Sequence, residues 1–245
     1  MLVTALFGPT GVGKTSVALE LAGLLRERGE NPVAVSCDSL QVYEGLGRLT
    51  GAVTAEENER LEHRLVGVVP VSDAFSIADY MPLAHGEIDR ALDEGRRPIV
   101  LGGTGLYLRA ALAELSLAKV EPGEESELWS PETRRPTVVF GLTMERGELY
   151  RRIDARVDAI VAAGAEEEVR AAEGVAGRTA RKALGFRELL EGDVDGMKRR
   201  SRNYARRQMT WMRKMPDVVT TDVTGLSAVE TAREIAATLA GREAP

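Results

Sequence analysis

The amino-acid sequence predicts an α/β fold: a doubly wound parallel sheet, with a helical part towards the C-terminus. Three observations carry this. Short apolar runs at residues 2–7, 32–37 (PVAVSC), 98–101 (PIVL) and 137–142 (TVVFGL) alternate with stretches of helical periodicity, the pattern of strand–helix–strand crossovers. The first run leads into Gly8-Pro9-Thr10-Gly11-Val12-Gly13-Lys14-Thr15, a G-x-x-x-x-G-K-[ST] loop placed between a strand and a helix. At 245 residues, with 44% hydrophobic and 29% charged composition, the chain has the material for one full core, so a single P-loop NTPase-like domain over 1–245 is expected.

The elements follow in order. Residues 14–28 read as a helix stopped by Gly29, and the strand at 32–37 ends at Asp38. A polar, acidic loop is expected to about residue 63. Ser76 and Asp79 form a capping-box pattern that opens a helix to about residue 94. The PIVL strand closes on Gly102-Gly103-Thr104-Gly105, where another helix starts. Residues 116–136 hold Pro122, Gly123, Pro131 and Pro136 without periodicity and predict a short irregular connection. After the strand at 137–142, helical patterns run over about 145–173 and 196–215, within a helical, basic region at 145–215. A last strand at 218–221 precedes a helix opened by a second capping box, Ser227 and Glu230.

Composition narrows the function. A single cysteine, Cys37, rules out an internal disulfide and fits a reducing, cytoplasmic setting. Two histidines make a histidine–cysteine metal site implausible, and no apolar run is long enough for a membrane span. The start of the chain lacks the basic region of a signal peptide. The net charge of −6 alone argues mildly against a nucleic-acid partner, but residues 178–214 carry twelve Lys/Arg against four acids. That local excess favours a polyanionic partner for the C-terminal third.

In the glycine loop, Gly8, Gly11 and Gly13 let consecutive N–H groups, with Thr10 between them, converge on one anion at a helix N-terminus. Lys14 adds a point charge, and Thr15 offers its hydroxyl to Mg²⁺. A generic nucleotide triphosphatase would next show a strand ending in a metal-binding aspartate. Here PIVL ends in GGTG, and the strand that ends in an acid is the one before Asp38-Ser39. Both loops belong to the carboxyl edge of the sheet, where ligands bind. Asp38 is open to three readings there: a helix cap, a metal ligand or a base.

Six blocks in order, GPTGVGKT, CDSLQVY, FSIADY, GGTGLYL, LYRRIDARVD and SRNYARRQMTWMR, resemble the dimethylallyltransferases that prenylate adenosine in tRNA. The resemblance covers residues 8–213. It implies that the loop holds dimethylallyl diphosphate rather than ATP, with Mg²⁺, and that the N6 amine of the adenosine at tRNA position 37 attacks the allyl carbon. Asp38 is then the general base. Lys14, the loop amides, Thr10, Thr15 and Thr104 meet the charge of the departing diphosphate. Arg156 lies on a helix whose Ile153, Val157 and Ile160 form an apolar stripe. It reads either as a solvated flank or, by the motif, as a diphosphate ligand, and the second is preferred. Arg199, Arg202, Arg206 and Arg213 share one helical face. Arg202 and Arg206 are expected at RNA phosphates, and Ser39 and Gln41 near the acceptor. Tyr204, Gln208 and Trp211 line another face of that helix. No membrane and no obligate protein partner are expected.

The chain departs from the family in three places. The helical insertion that usually follows GGTGLY is missing from residues 116–136, Gly11-Val12 replaces a commoner Ala-Ser, and Glu62-His63 stands where two histidines are usual. Adenylate dimethylallyltransferases, which also lack the insertion, and small-molecule P-loop kinases remain alternatives at this stage. The former do not share the SRNYARRQMTWMR block.

Overall fold

A computed structural model describes residues 1–116 and 127–243. The first strand, β1 (Val3–Phe7), is buried along its whole length, as a central strand covered on both faces must be. It leads through the glycine loop into α1 (Lys14–Glu27), then β2 (Pro32–Ser36) and the two-residue β3 (His63–Arg64). The chain returns through α4 (Ile77–Asp93) to β4 (Arg97–Gly102) and α5 (Gly105–Leu112). Then follow β5 (Thr137–Thr143), β6 (Val218–Asp222) and α10 (Ala228–Glu243).

Among the described residues these make one six-stranded sheet in the order β3-β2-β4-β1-β5-β6, with the paired strands parallel throughout. Thr4 pairs in register with Ile99 on one side and Val138 on the other. The winding reverses at β1, and such a reversal opens a crevice at the carboxyl ends of the strands. Leu6, Ala34, Ile99 and Phe140 pack on one face against Leu21 of α1 and Ile235 of α10. Phe7, Val35 and Val100 pack on the other against Tyr80 and Leu108 of α4 and α5. Among the described residues no helix is long and apolar enough to cross a membrane.

Both predicted capping boxes form: Ser76 Oγ accepts from Asp79 N, and Ser227 Oγ accepts from Glu230 N at 3.2 Å. The stretch read as loop before residue 63 instead contains α2 (Gly47–Thr50) and α3 (Ala55–Arg60), the latter with its own capping box of Thr54 and Glu57. The single helix expected over 145–173 is two, α6 (Arg146–Ala162) and α7 (Ala165–Ala172). Gly164, in the left-handed region at φ 87°, breaks the ladder between them. After α8 (Phe186–Leu190), α9 runs over Val194–Met212 and starts two residues before its predicted position, because Asp193 caps Gly196 N at 2.8 Å. Of the 116–136 connection, residues 117–126 lie outside the described set; Glu127–Trp129 forms a 3-10 turn, and Trp129 packs on Trp211 with centroids 4.8 Å apart.

Candidate active site

The glycine loop is shaped for an anion. Gly13 precedes α1 at φ 95° with no side-chain cap, and no acid stands in the first helical turn, so the N–H groups there await a partner. A Cβ on Gly13 would meet nothing, so glycine is needed there for its backbone angle alone. Gly11, at φ 82°, also lies against α6, where a Cβ would come within 2.8 Å of Ile153 Cγ1. Gly8 serves packing instead. A Cβ there would lie 2.8 Å from the Leu142 carbonyl of β5, and the residue does not line the cavity beside the loop.

That cavity has a volume of about 360 Å³, within the usual range for a small-molecule site. Thr10, Gly11, Gly13, Lys14 and Thr15 line it from the loop, and Asp38, Gln41 and Arg156 from opposite elements. Lys14 Nζ donates to the carbonyls of Gly8 (2.9 Å) and Pro9 (3.0 Å). Burial, with Arg156 nearby, lowers its pKa to about 8, against the pull of Asp38.

Asp38 sits where β2 ends. Its Oδ1 accepts from Leu40 N (2.9 Å) and Gln41 N (3.4 Å), an Asx-type turn that fixes the carboxylate and leaves Oδ2 without a protein donor among the described residues. Arg156 Nη2 donates to the Thr50 carbonyl at 2.9 Å, and Gln41 Nε2 to the Gly51 carbonyl at 3.1 Å. Burial lowers the Arg156 pKa, while Asp38 and Glu57 oppose the shift. Ile153 and Val157, buried on the same helix, anchor its backbone. Lys14 and Arg156 thus share the cavity with two carboxylates, Asp38 and Glu57. Arg152 also lines it but is paired with Glu148 at 2.6 Å.

Thr104 and Ser39 stand just behind this wall and do not line the cavity. Thr104 Oγ1 lies 3.5 Å from Ser39 N and from Ser39 Oγ, and 3.3 Å from Tyr204 OH of α9. Burial, with Asp38 close by, pushes the Tyr204 pKa up to about 12, so it stays a neutral hydroxyl. Gln208, one turn on, accepts from Thr10 N at 2.8 Å and donates to the Gly103 carbonyl at 2.8 Å. Arg202 and Arg206 lie away from the cavity and differ from one another. Arg202 is engaged with both Asp154 oxygens (2.5 and 2.7 Å), whereas Arg206 is exposed beside Asn203.

Four residues of this region escape the sequence reading: Gly51, Glu57, His63 and Gln208. All four line the cavity. His63 Nδ1 is 2.6 Å from the Leu61 carbonyl, which makes it the protonated nitrogen and leaves Nε2 a buried acceptor without a partner. Burial lowers the His63 pKa and keeps the ring neutral. Gln208 left a signal as the centre of the Tyr204–Gln208–Trp211 stripe, and His63 only as a departure from the family's histidine pair. Among the described residues no cluster of three His, Cys, Asp or Glu could cage a metal.

The chain is similar to known proteins over nearly its whole length. The family model for IPP transferase matches residues 41–135 and 119–215. The tRNA dimethylallyltransferase of Bacillus velezensis is 31% identical over 290 aligned positions, covering 91% of each chain. That of Limosilactobacillus fermentum is 31% identical over 307 positions, covering 98% of each. The crystal structure of the full-length tRNA isopentenylpyrophosphate transferase from Bacillus halodurans superposes with a TM-score of 0.85 at 29% identity, over 98% of this chain and 96% of that one.

Proposed function

The chain belongs to the IPP transferase family, and on that premise we propose that it moves the dimethylallyl group of dimethylallyl diphosphate onto N6 of an adenosine in tRNA, releasing diphosphate. The observation that carries this reading is the cavity at the glycine loop. It offers Lys14, Arg156 and uncapped helix N–H groups to an anion, and beside them one oriented carboxylate, Asp38, with an uncommitted oxygen.

The diphosphate sits on the N–H groups of Gly11, Gly13, Lys14 and Thr15, with the Lys14 side chain on one side and Arg156 on the other. The C1–O bond of the allyl group breaks, its electrons leave with the diphosphate, and the N6 lone pair forms the new C–N bond. The amine proton passes to Asp38 Oδ2. Lys14 and Arg156 meet charge that grows as the leaving group departs, so their stabilisation is larger in the transition state than in the ground state. Thr104 acts one layer back, holding the Ser39 turn against Tyr204. Thr15 lines the same cavity, and its hydroxyl would hold Mg²⁺ there, with no cluster of His, Cys, Asp or Glu among the described residues to cage it. Such an ion would neutralise part of the leaving group's charge.

The acceptor is held from outside, by the exposed basic face of α9 that includes Arg206 and Arg207. The enzyme is a short form acting in the cytoplasm. Alignments of 290 and 307 positions exceed its 245 residues, so the relatives carry residues without a counterpart here. The family match falls into two stretches that overlap at 119–135, which supports a shortened connection there. The test incubates purified protein with dimethylallyl diphosphate, Mg²⁺ and unmodified tRNA, and reads N6-dimethylallyladenosine in the nuclease digest. Its absence, with both substrates shown to bind, contradicts the reading.

A further inference from the structure

The α9 stripe that the reaction leaves unassigned touches the GGTG turn residue by residue. Tyr204 OH is 3.3 Å from Thr104 Oγ1, the Gln208 amide donates to Gly103, and the Trp211 ring lies where a Cβ on Gly105 would be 2.7 Å from its Cδ2. Of the three, only Gln208 also holds the glycine loop. Its Oε1 accepts from the N–H of Thr10, which is 198 residues away in sequence. The side chain is 4% exposed, and both ends of its amide are used in bonds of 2.8 Å. Gly103 is bare to admit it: a Cβ there would meet Gln208 Nε2, and would lie 3.1 Å from the Gly8 carbonyl. The turn after β4, the loop after β1 and α9 therefore meet at one side-chain amide.

Thr10 is the point at which the loop turns towards the anion, between Gly8 and Gly11. With Thr10 N–H committed to Gln208, that amide is taken out of the set that faces the anion, and the backbone leading into Gly11–Thr15 is held to one path. We propose that Gln208 is a positioning residue of the phosphate loop: it lines the cavity, but both polar atoms of its amide are spent on Thr10 and Gly103, and through them it fixes the loop amides and Lys14 in their anion-binding arrangement. This rests on the loop being the diphosphate site and adds a residue to it. Loss of the amide leaves Thr10 N–H and the Gly103 carbonyl unpaired, and the loop gains alternative paths whose ordering is then charged against anion binding.

The test uses inorganic pyrophosphate with Mg²⁺ as probe, by isothermal titration on folded protein, so it does not depend on the acceptor. Gln208→Met keeps length and packing and removes both polar atoms. Trp211→Phe perturbs the same helix against the same turn with no bond to the loop. Gln208→Met is expected to weaken pyrophosphate by about tenfold or more and to raise KM for dimethylallyl diphosphate while KM for tRNA stays. Trp211→Phe is expected to lower Tm without changing pyrophosphate affinity. Equal weakening in the two variants, or pyrophosphate binding by Gln208→Met within about twofold of wild type, overturns the assignment. If Gln208→Met does not fold, Gln208→Asn answers the same question, since its amide is one methylene too short to span loop and turn: weakened binding supports the role and unchanged binding overturns it. Wild-type protein that binds pyrophosphate yet transfers nothing to tRNA contradicts the transfer reaction and leaves Gln208 standing.

Discussion

Replacing Gly51 by alanine is expected to damage catalysis through Arg156, although residue 51 carries no chemistry. Gly51 has φ 58°, and a Cβ there would lie 2.8 Å from Arg156 Cζ and closer still to Nη2. Two costs follow, and they separate. The left-handed backbone costs an alanine about 1 kcal/mol, which for a chain of this size lowers Tm by about 2–4 °C. The collision moves the guanidinium off the Thr50 carbonyl and out of the cavity, losing charge-assisted bonds to the diphosphate worth roughly 1.5–3 kcal/mol, or about ten- to a hundredfold in affinity. The assay is a double-mutant cycle with Arg156→Ala, reading pyrophosphate dissociation constants and Tm on all four proteins. Gly51→Ala should weaken binding in the wild-type background and hardly at all once Arg156 is gone, while the Tm loss persists in both. Equal weakening in both backgrounds would refute the coupling, and no weakening in either would remove Arg156 from the diphosphate site.

The remaining expectations concern the groups around it. Lys14, with a free-state pKa of about 8, is protonated below that value, and the bound anion raises the pKa. The ratio of wild-type to Lys14→Arg pyrophosphate affinity, which cancels the ligand's own titration because the arginine stays charged, should therefore be flat below about pH 8 and fall by up to about tenfold per unit above it; a ratio that is flat throughout contradicts the assignment. Asp38→Asn keeps an Oδ1 acceptor for Leu40 N and Gln41 N, so the turn survives and only the base is lost. Single-turnover transfer should drop about 10²–10⁴-fold with pyrophosphate affinity retained, and a rate within a few-fold of wild type would reject Asp38 as base. Arg206→Ala should lower the log–log salt slope of tRNA binding by about one, and Arg202→Ala by less, because Asp154 already neutralises that guanidinium. Equal slope changes in filter-binding assays would show that Arg202 leaves its partner to meet RNA.

Legibility in the sequence followed the range of the interactions. Buried parallel strands read as apolar runs because both faces are covered, so β1, β2, β4 and β5 stood out, and the two capping boxes at Ser76 and Ser227 are signals confined to four residues. The break at Gly164 is local too, but a glycine within a helical pattern reads equally as a tolerated interior residue, and its positive φ became visible only in the fold. β3, two polar residues beside β2, has no periodicity to find. The loop residues from Thr10 to Thr15 were legible because a motif encodes a backbone shape. Gly51 and Gln208 were not, since their meaning lies in partners more than a hundred residues away: Arg156 for the first, Thr10 and Gly103 for the second. The charge run in α9 was legible as a run, and its division into a tied Arg202 and an outward Arg206 needed the position of Asp154.

The central claim, prenyl transfer to an adenosine of tRNA from a diphosphate held by the glycine loop, is tested most directly by competition between acceptors. Purified protein receives radiolabelled dimethylallyl diphosphate and Mg²⁺ with unmodified tRNA and AMP together at matched concentration, and the label is followed into each. Label in tRNA, absent from AMP and lost in Asp38→Asn, is the predicted result. Label in AMP with none in tRNA would contradict it and make the basic face of α9 a surface without an RNA partner.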